Sequence, residues 1–215
     1  DGDTDLVNVE NIAFAAAGIV DLTGQTEAFT ITNVATDLDN TITGGSGVET
    51  FTSGNASDTD SVVYAATVAL NGADVISLHS GTGLDIVNFD AFLGTGAAFI
   101  EGTGGAGSGA IAASTAGAGD GNGTDIAGKV LLLDTDAFSN QAAIATVIVD
   151  STANNALFLG SADKAVVLSG DVANGSQAFN VYYVVGTGSG DAETITLAGT
   201  LTWHDGDAIH VDNLF

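Results

Sequence analysis

The chain sets 27 Asp and Glu against two basic residues, Lys129 and Lys164, giving a formal charge of −25. Carboxylates so poorly matched repel one another in any compact state unless cations neutralise them. The same imbalance speaks against partners that need clustered Lys or Arg, so neither nucleic acid binding nor attraction to anionic lipid is expected. The sequence nevertheless is 45% hydrophobic with positive mean hydropathy, too apolar for a disordered acidic tail. At 215 residues it can bury a real core, as one large domain or two small ones.

Thirty glycines, no proline and abundant Thr, Val and Ala argue for many short strands joined by Gly, Asn and Asp turns. The expected fold is mainly β, a β-sandwich or irregular β-roll-like sheets, with one short helix near 139–149. The absence of cysteine removes disulfides, thiolate catalysis and Cys-ligated metals together. Hard oxygen ligands from Asp, Asn and backbone carbonyls suit Ca²⁺, so calcium is the expected cofactor.

Short apolar runs separated by polar turns open the chain: Leu6 to Val9, Ile12 to Phe14, Ile19 to Leu22 and Ala28 to Ile31 read as strands. A Gly/Ala/Ser-rich stretch from Gly102 to Gly123 cannot pack a core of its own. It divides the chain into a β domain over 1–101, a linker over 102–125 and a C-terminal β-rich domain over 126–215. In the last of these, Val130 to Leu133 and segments near 165–168, 179–185 and 194–201 read as strands. Ser139 is the expected N-cap of the helix. The longest uncharged runs, Gly102 to Gly119 and Val172 to Gly190, are too interrupted to cross a membrane as a helix, so no membrane insertion is expected. The N-terminal residues show no basic stretch followed by an apolar one, and no Sec-type signal is expected there.

Gly44-Gly45-Ser46-Gly47-Val48-Glu49-Thr50-Phe51-Thr52 matches the nonapeptide of calcium-binding parallel β-rolls, G-G-x-G-x-D-x-U-x, apart from Glu at the sixth position. Ser80 to Asn88 fits with one Gly lost, Asn71 to Ile76 is a half-match and Asp58 to Val62 a poorer one. Glycines permit the turns that aim carbonyls at an ion, the sixth-position carboxylate closes the shell, and the apolar eighth residue points inward. The sixth-position acids, at 49, 60, 74 and 85, do not follow a nine-residue pitch. Two readings therefore stand: calcium bound between 37 and 92, or glycine turns that close hairpins. The candidate metal ligands are Glu49, Asp58, Asp60, Asp74, Asp85 and Asp90.

On these stretches the chain resembles RTX-type proteins exported by type I secretion from Gram-negative bacteria. Asp5 to Ile12, Asp39 to Gly47, and Gly72 to Ser77 through Asn88 to Gly94 are similar to repeats and their flanks. Val211-Asp212-Asn213-Leu214-Phe215 resembles the family's uncleaved C-terminal export signals, and Thr194 to Leu201 is similar to surface-layer proteins carrying that domain. The resemblance implies an extracellular, calcium-binding surface protein.

Other oxygen-rich clusters, Asp1 to Asp5, Asp120 to Asp125 and Asp134 to Asp136, lack the glutamate that completes an EF-hand. His204 and His210 are wrongly spaced for a helical zinc pair. Thr30-Ile31-Thr32, Thr41-Ile42-Thr43 and Thr194-Ile195-Thr196 suggest a flat threonine array, but show no period and read as ordinary strands. No nucleophile elbow, phosphate loop or helical H-E-x-x-H is present, so no enzyme activity is expected. What remains is a structural protein that self-assembles into a surface layer or filament through calcium-supported strand edges, since Pro is absent and Lys scarce on those edges. The alternative is an exported calcium-binding adhesin or accessory module, with a cell-surface polysaccharide as its partner.

Overall fold

A computed structural model describes residues 10–33, 38–54, 57–79, 83, 85–94, 98–100, 124–134, 140–145, 148–149, 157–170, 178–187, 193–203 and 214. The low-complexity stretch 102–123, the strand expected at Leu6 to Val9, the acidic cluster at Asp1 to Asp5, the C-terminal signal-like segment apart from Leu214, and both His204 and His210 lie outside the described residues. The fold is mainly β, as the composition implies. The chain forms two compact units, one of residues 1–92 and 198–215, the other of residues 93–197. Residues 198–215 therefore join the N-terminal unit rather than the C-terminal domain expected from sequence.

In the first unit the strands are β1 (Asn11–Phe14), β2 (Gly18–Asp21), β3 (Thr30–Asn33), β4 (Asn40–Thr43), β5 (Thr50–Thr52), β6 (Ser61–Val63), β7 (Asp74–Leu78) and β8 (Ile86–Asn88). Odd strands pair side by side in the order β1-β3-β5-β7, even strands in the order β2-β4-β6-β8, and every pairing is parallel. A chain that alternates between two parallel sheets winds as a roll, one odd and one even strand to each coil. Of the two folds expected, the β-roll is the one formed.

Side chains alternate across each strand, so one set points between the sheets. Ile31, Phe51 and Ile76 stack in register from the odd sheet, and Ile42, Val62 and Val87 from the even one, all buried. Each fully buried side chain of this kind contributes about 1.5–3 kcal/mol. Tyr64 packs its ring on Phe89 with centroids 5.0 Å apart. A later strand, Thr194–Trp203, lays its second half parallel to β7, with Gly199 opposite Asp74 and Trp203 opposite Leu78.

Backbones of successive coils approach closely at the turns. Gly72 has φ +60°, and a Cβ there would overlap the Gly47 carbonyl. Gly83 lies equally tight against the Asp58 carbonyl. At both positions glycine is needed because the preceding coil's backbone occupies the side-chain space.

In the second unit the strands are β9 (Ala98–Ile100), β10 (Thr124–Asp125), β11 (Lys129–Asp134), β12 (Ile148–Val149), β13 (Leu157–Phe158), β14 (Lys164–Gly170) and β15 (Ala178–Val185). The strand shared by both units, Thr194–Trp203, is β16. Ala165 to Leu168 in β14 are wholly buried, the near-continuous apolar run of a strand covered on both faces. It pairs parallel with β11 and antiparallel with β15. Among the described residues the α-helices are single turns, α1 (Asp90–Leu93) and α2 (Gln141–Ile144). The expected helix is shorter than 139–149: Asn140 rather than Ser139 is its N-cap, accepting from the Ala143 N–H at 3.0 Å, and Ile148–Val149 is strand β12.

Gly72→Ala should cost about 3 kcal/mol, because it adds both left-handed strain and an overlap with Gly47. For a chain of this size that lowers the thermal midpoint by roughly 6–12 °C. Calorimetry on the variant checks it, with Gly24→Ala, whose φ is +92° but whose side-chain space is open, as the strain-only comparison.

Candidate metal centre

Four of the acids singled out from sequence fall into two columns, one at the start of the strands of each sheet. Before the even strands, the column is Asn40, Asp60 and Asp85. Each side chain accepts a hydrogen bond from backbone one coil earlier. Asn40 Oδ1 accepts from Gly18 N–H at 3.1 Å, Asp60 Oδ1 from Asn40 N–H at 3.1 Å, and Asp85 Oδ1 from Asp60 N–H at 2.8 Å. The Asn40 amide also donates to Asp60 Oδ1 at 3.0 Å. Before the odd strands, Asp74 Oδ1 accepts from Glu49 N–H at 2.9 Å, and Glu49 Oε2 from Gly45 N–H at 2.9 Å.

These bonds explain the spacing that resists a nine-residue pitch. Glu49 to Asp74 and Asp60 to Asp85 are each 25 residues apart, whereas Asn40 to Asp60 is 20. The longer steps share only the stretch from 60 to 74, which holds a 3₁₀ turn at Val68–Leu70. Asn71 closes that loop, accepting from Ala65 N–H at 2.6 Å and donating to the Thr67 carbonyl at 2.8 Å. The pitch is one coil of two strands, with a loop inserted.

Asp58, Asp60 and Asp85 form one buried group, each offering a carboxylate oxygen within 4.8 Å of the others. Asp58 Oδ2 accepts from the Asn33 amide at 3.1 Å, and Asp85 Oδ2 from His79 N–H at 2.9 Å. Three buried oxygens among them and beside them have no hydrogen-bond partner: Asp58 Oδ1, Asp60 Oδ2 and Asn33 Oδ1. Such groups cost free energy unless something satisfies them. Three carboxylates with neutral oxygens beside them form a hard, all-oxygen donor set, and this group could hold a metal ion. Both lysines lie in the other compact unit, so no Lys or Arg of this unit can neutralise the group.

Glu49 and Asp74 form a second buried pair, with Gly44 packed against both carboxyls. Glu49 Oε1 has no hydrogen-bond partner. Asp90 stands apart at the start of α1, partly exposed, where the Asn88 side chain accepts from its N–H at 2.8 Å. Sequence reasoning missed Asn33, Ser53 and Asn40. Asn40 carried a visible signal, since it sits in the column where later coils place an acid.

Burial dominates the acidity of the group. It pushes the Asp60 carboxyl up to about 6, helped by the charges of Asp85 and Asp58 and opposed by the Asn40 hydrogen bonds. Asp85 is raised by burial, against hydrogen bonds from the Asp60 and His79 N–H groups and the Ser53 side chain. Burial likewise raises Glu49 and Asp74.

Comparison with known proteins identified no relative: no family model matches the chain, and neither the curated proteins nor the solved structures yielded a significant match.

The pH dependence follows from the raised values. A carboxyl whose folded pKa lies above its unfolded one stabilises the fold below the unfolded value, and that stability is lost as pH rises through the folded value. In EDTA, the melting temperature should therefore fall as pH rises from 5 through about 6 and beyond, the Asp60 region. Asp60→Asn should flatten this dependence and raise the metal-free melting temperature at pH 8. Thermal melts across pH with wild type and variant provide the check.

Proposed function

We propose that this chain is a non-catalytic, extracellular structural module of the RTX type, in which calcium completes the roll and copies join through open strand edges into a layer or filament. The observation that carries the reading is the buried Asp58, Asp60 and Asp85 group with its unsatisfied oxygens, in a unit devoid of Lys and Arg. Calcium suits it better than magnesium, since flexible higher coordination accepts neutral Asn and Ser oxygens beside the carboxylates. The roll needs the ion most where coils touch, because the ladder of acids there is also what aligns each coil on the one before.

Assembly is supported by the edges. Among the described residues β1 is the outer strand of the odd sheet and β2 of the even one. Their outward backbone groups can accept a further strand. Ile19 in β2 is 78% exposed, the largest exposure among the large apolar side chains of the described residues. Calcium between acidic turns would offset repulsion between subunits of such high charge.

Calcium at about 100 times its Kd should stabilise the fold by about 2.7 kcal/mol, a rise of roughly 5–11 °C in melting temperature. Asp60→Asn and Asp85→Asn should each weaken calcium binding about tenfold or more, which is about 1.4 kcal/mol. Asp21→Asn, in an exposed turn with Thr23, should leave it unchanged. Titration calorimetry measures all three, and a melt indifferent to calcium would remove the reading.

Light scattering and electron microscopy test assembly. Polymers should form with calcium and disappear in EDTA, and Ile19→Lys, placing a charge on the edge strand, should shorten them while the monomer melts normally. Polymers of full length from that variant would exclude this edge.

A further inference from the structure

Pairing in the odd sheet aligns side chains that the sequence scatters. On its outward face one row runs Asn11, Thr30, Thr50, Val75 and Thr200, and a second Ala13, Thr32, Thr52, Ser77 and Thr202. Three strands contribute a Thr-x-Thr pair in register: β3, β5 and β16, with Val75 and Ser77 of β7 between the latter two. The three Thr-x-Thr copies noted from sequence showed no period because only one of them, Thr30 to Thr32, belongs here. Its partners, at 50–52 and 200–202, come from different coils and from the far end of the chain.

All ten positions are solvent-accessible, six of them exposed and the rest half-buried. In a chain with 27 acids not one of the ten is charged. None is aromatic, and none is larger than Val, Thr or Asn. Strand spacing places neighbours in a row about 4.8 Å apart and the two rows about 6.6 Å apart. The face is thus a two-dimensional grid of hydroxyls and methyls. The register runs without a break from β1 through β3, β5 and β7 to β16, so both rows continue across five strands. Threonine adds rigidity, since its branched Cβ restricts χ1.

A grid of this kind favours a ligand that is itself periodic. Each hydroxyl alone binds water or a sugar weakly, but contacts held in fixed register add up without further ordering cost. A soluble ion finds no charge here, and a sugar ring finds no aromatic platform to stack on. An ordered lattice of water molecules offers both donors and acceptors at repeating positions, and voids that accept methyl groups. We infer that the outward face of the odd sheet, centred on Thr32, Thr50 and Thr52, binds the surface of ice.

The experiment uses the full chain with calcium. Wild type should concentrate into a slowly grown ice hemisphere, and should hold small ice crystals unchanged below the melting point in an osmometer. Thr52→Tyr, breaking the grid at its centre, should lose most of both effects, and so should Thr32→Tyr. Thr41→Tyr, on the outer face of the even sheet, and Ile19→Lys, at the assembly edge, should keep them. Calcium-dependent melts confirm that each variant is folded. A wild type excluded from ice like an ordinary soluble protein overturns the inference. So does a folded Thr52→Tyr as active as wild type. Capture by crystalline chitin or cellulose, or self-association, that depends on Thr52 in the absence of ice capture likewise overturns it and assigns the face to that occupant.

Discussion

Each coil of the roll is fastened to the one before by a side-chain oxygen at the start of its strand, and the rest of the N-terminal unit depends on that bond. Asn40, Asp60 and Asp85 on one sheet, and Asp74 on the other, reach back to a backbone N–H that the parallel ladder leaves over at the strand's beginning. Fixing that point fixes the register, and the register sets which side chains face inward. Ile76 stacks on Phe51 in the register that the Asp74 bond to the Glu49 N–H holds.

The same device creates an electrostatic problem. Short side chains that reach backbone inside a stack of coils are necessarily buried, and burial raises the cost of their charge. A unit with Lys or Arg could pair them; this one has none. The acids are left with two ways of losing charge, a proton or a metal ion, and the two compete for the same oxygens. Coil stacking, buried acidity and the capacity to hold a cation in this sense share one origin. An Asn in place of an acid, as at Asn40, keeps the backbone bond and avoids the charge, but offers a weaker ligand.

A strand from far along the sequence extends the odd sheet beyond β7. Gly199 sits opposite Asp74 so closely that a side chain there would meet the Asp74 backbone. That proximity lets β16 follow β7 in unbroken register, carrying Thr200 and Thr202 into line with Val75 and Ser77. The interior gains Leu201 and Trp203, both buried. Inner core and outer grid are therefore products of a single pairing, because alternation along a strand assigns one residue to each face in turn.

Much was legible in the chain itself. The excess of acid, the lack of cysteine and proline, and the Gly-rich turns at 44–47 and 81–83 determined a mainly β fold with oxygen-rich turns, because turn geometry and charge are local properties of composition and short motifs. The acids at 49, 60, 74 and 85 were recognisable one by one. Their grouping was not, since a coil absorbs an inserted loop such as 64–73 without disturbing the stack, and the linear spacing then hides the period. Asn33 and Ser53 could not be found from sequence, as they approach Asp58 and Asp85 from other coils. The threonine rows were likewise unreadable: Thr32, Thr52 and Thr202 fall into one row only when backbone hydrogen bonds bring their strands together. Local chemistry settles what each turn and strand can be, but which of them stand side by side is set in three dimensions, because parallel pairing joins residues with no fixed separation along the chain.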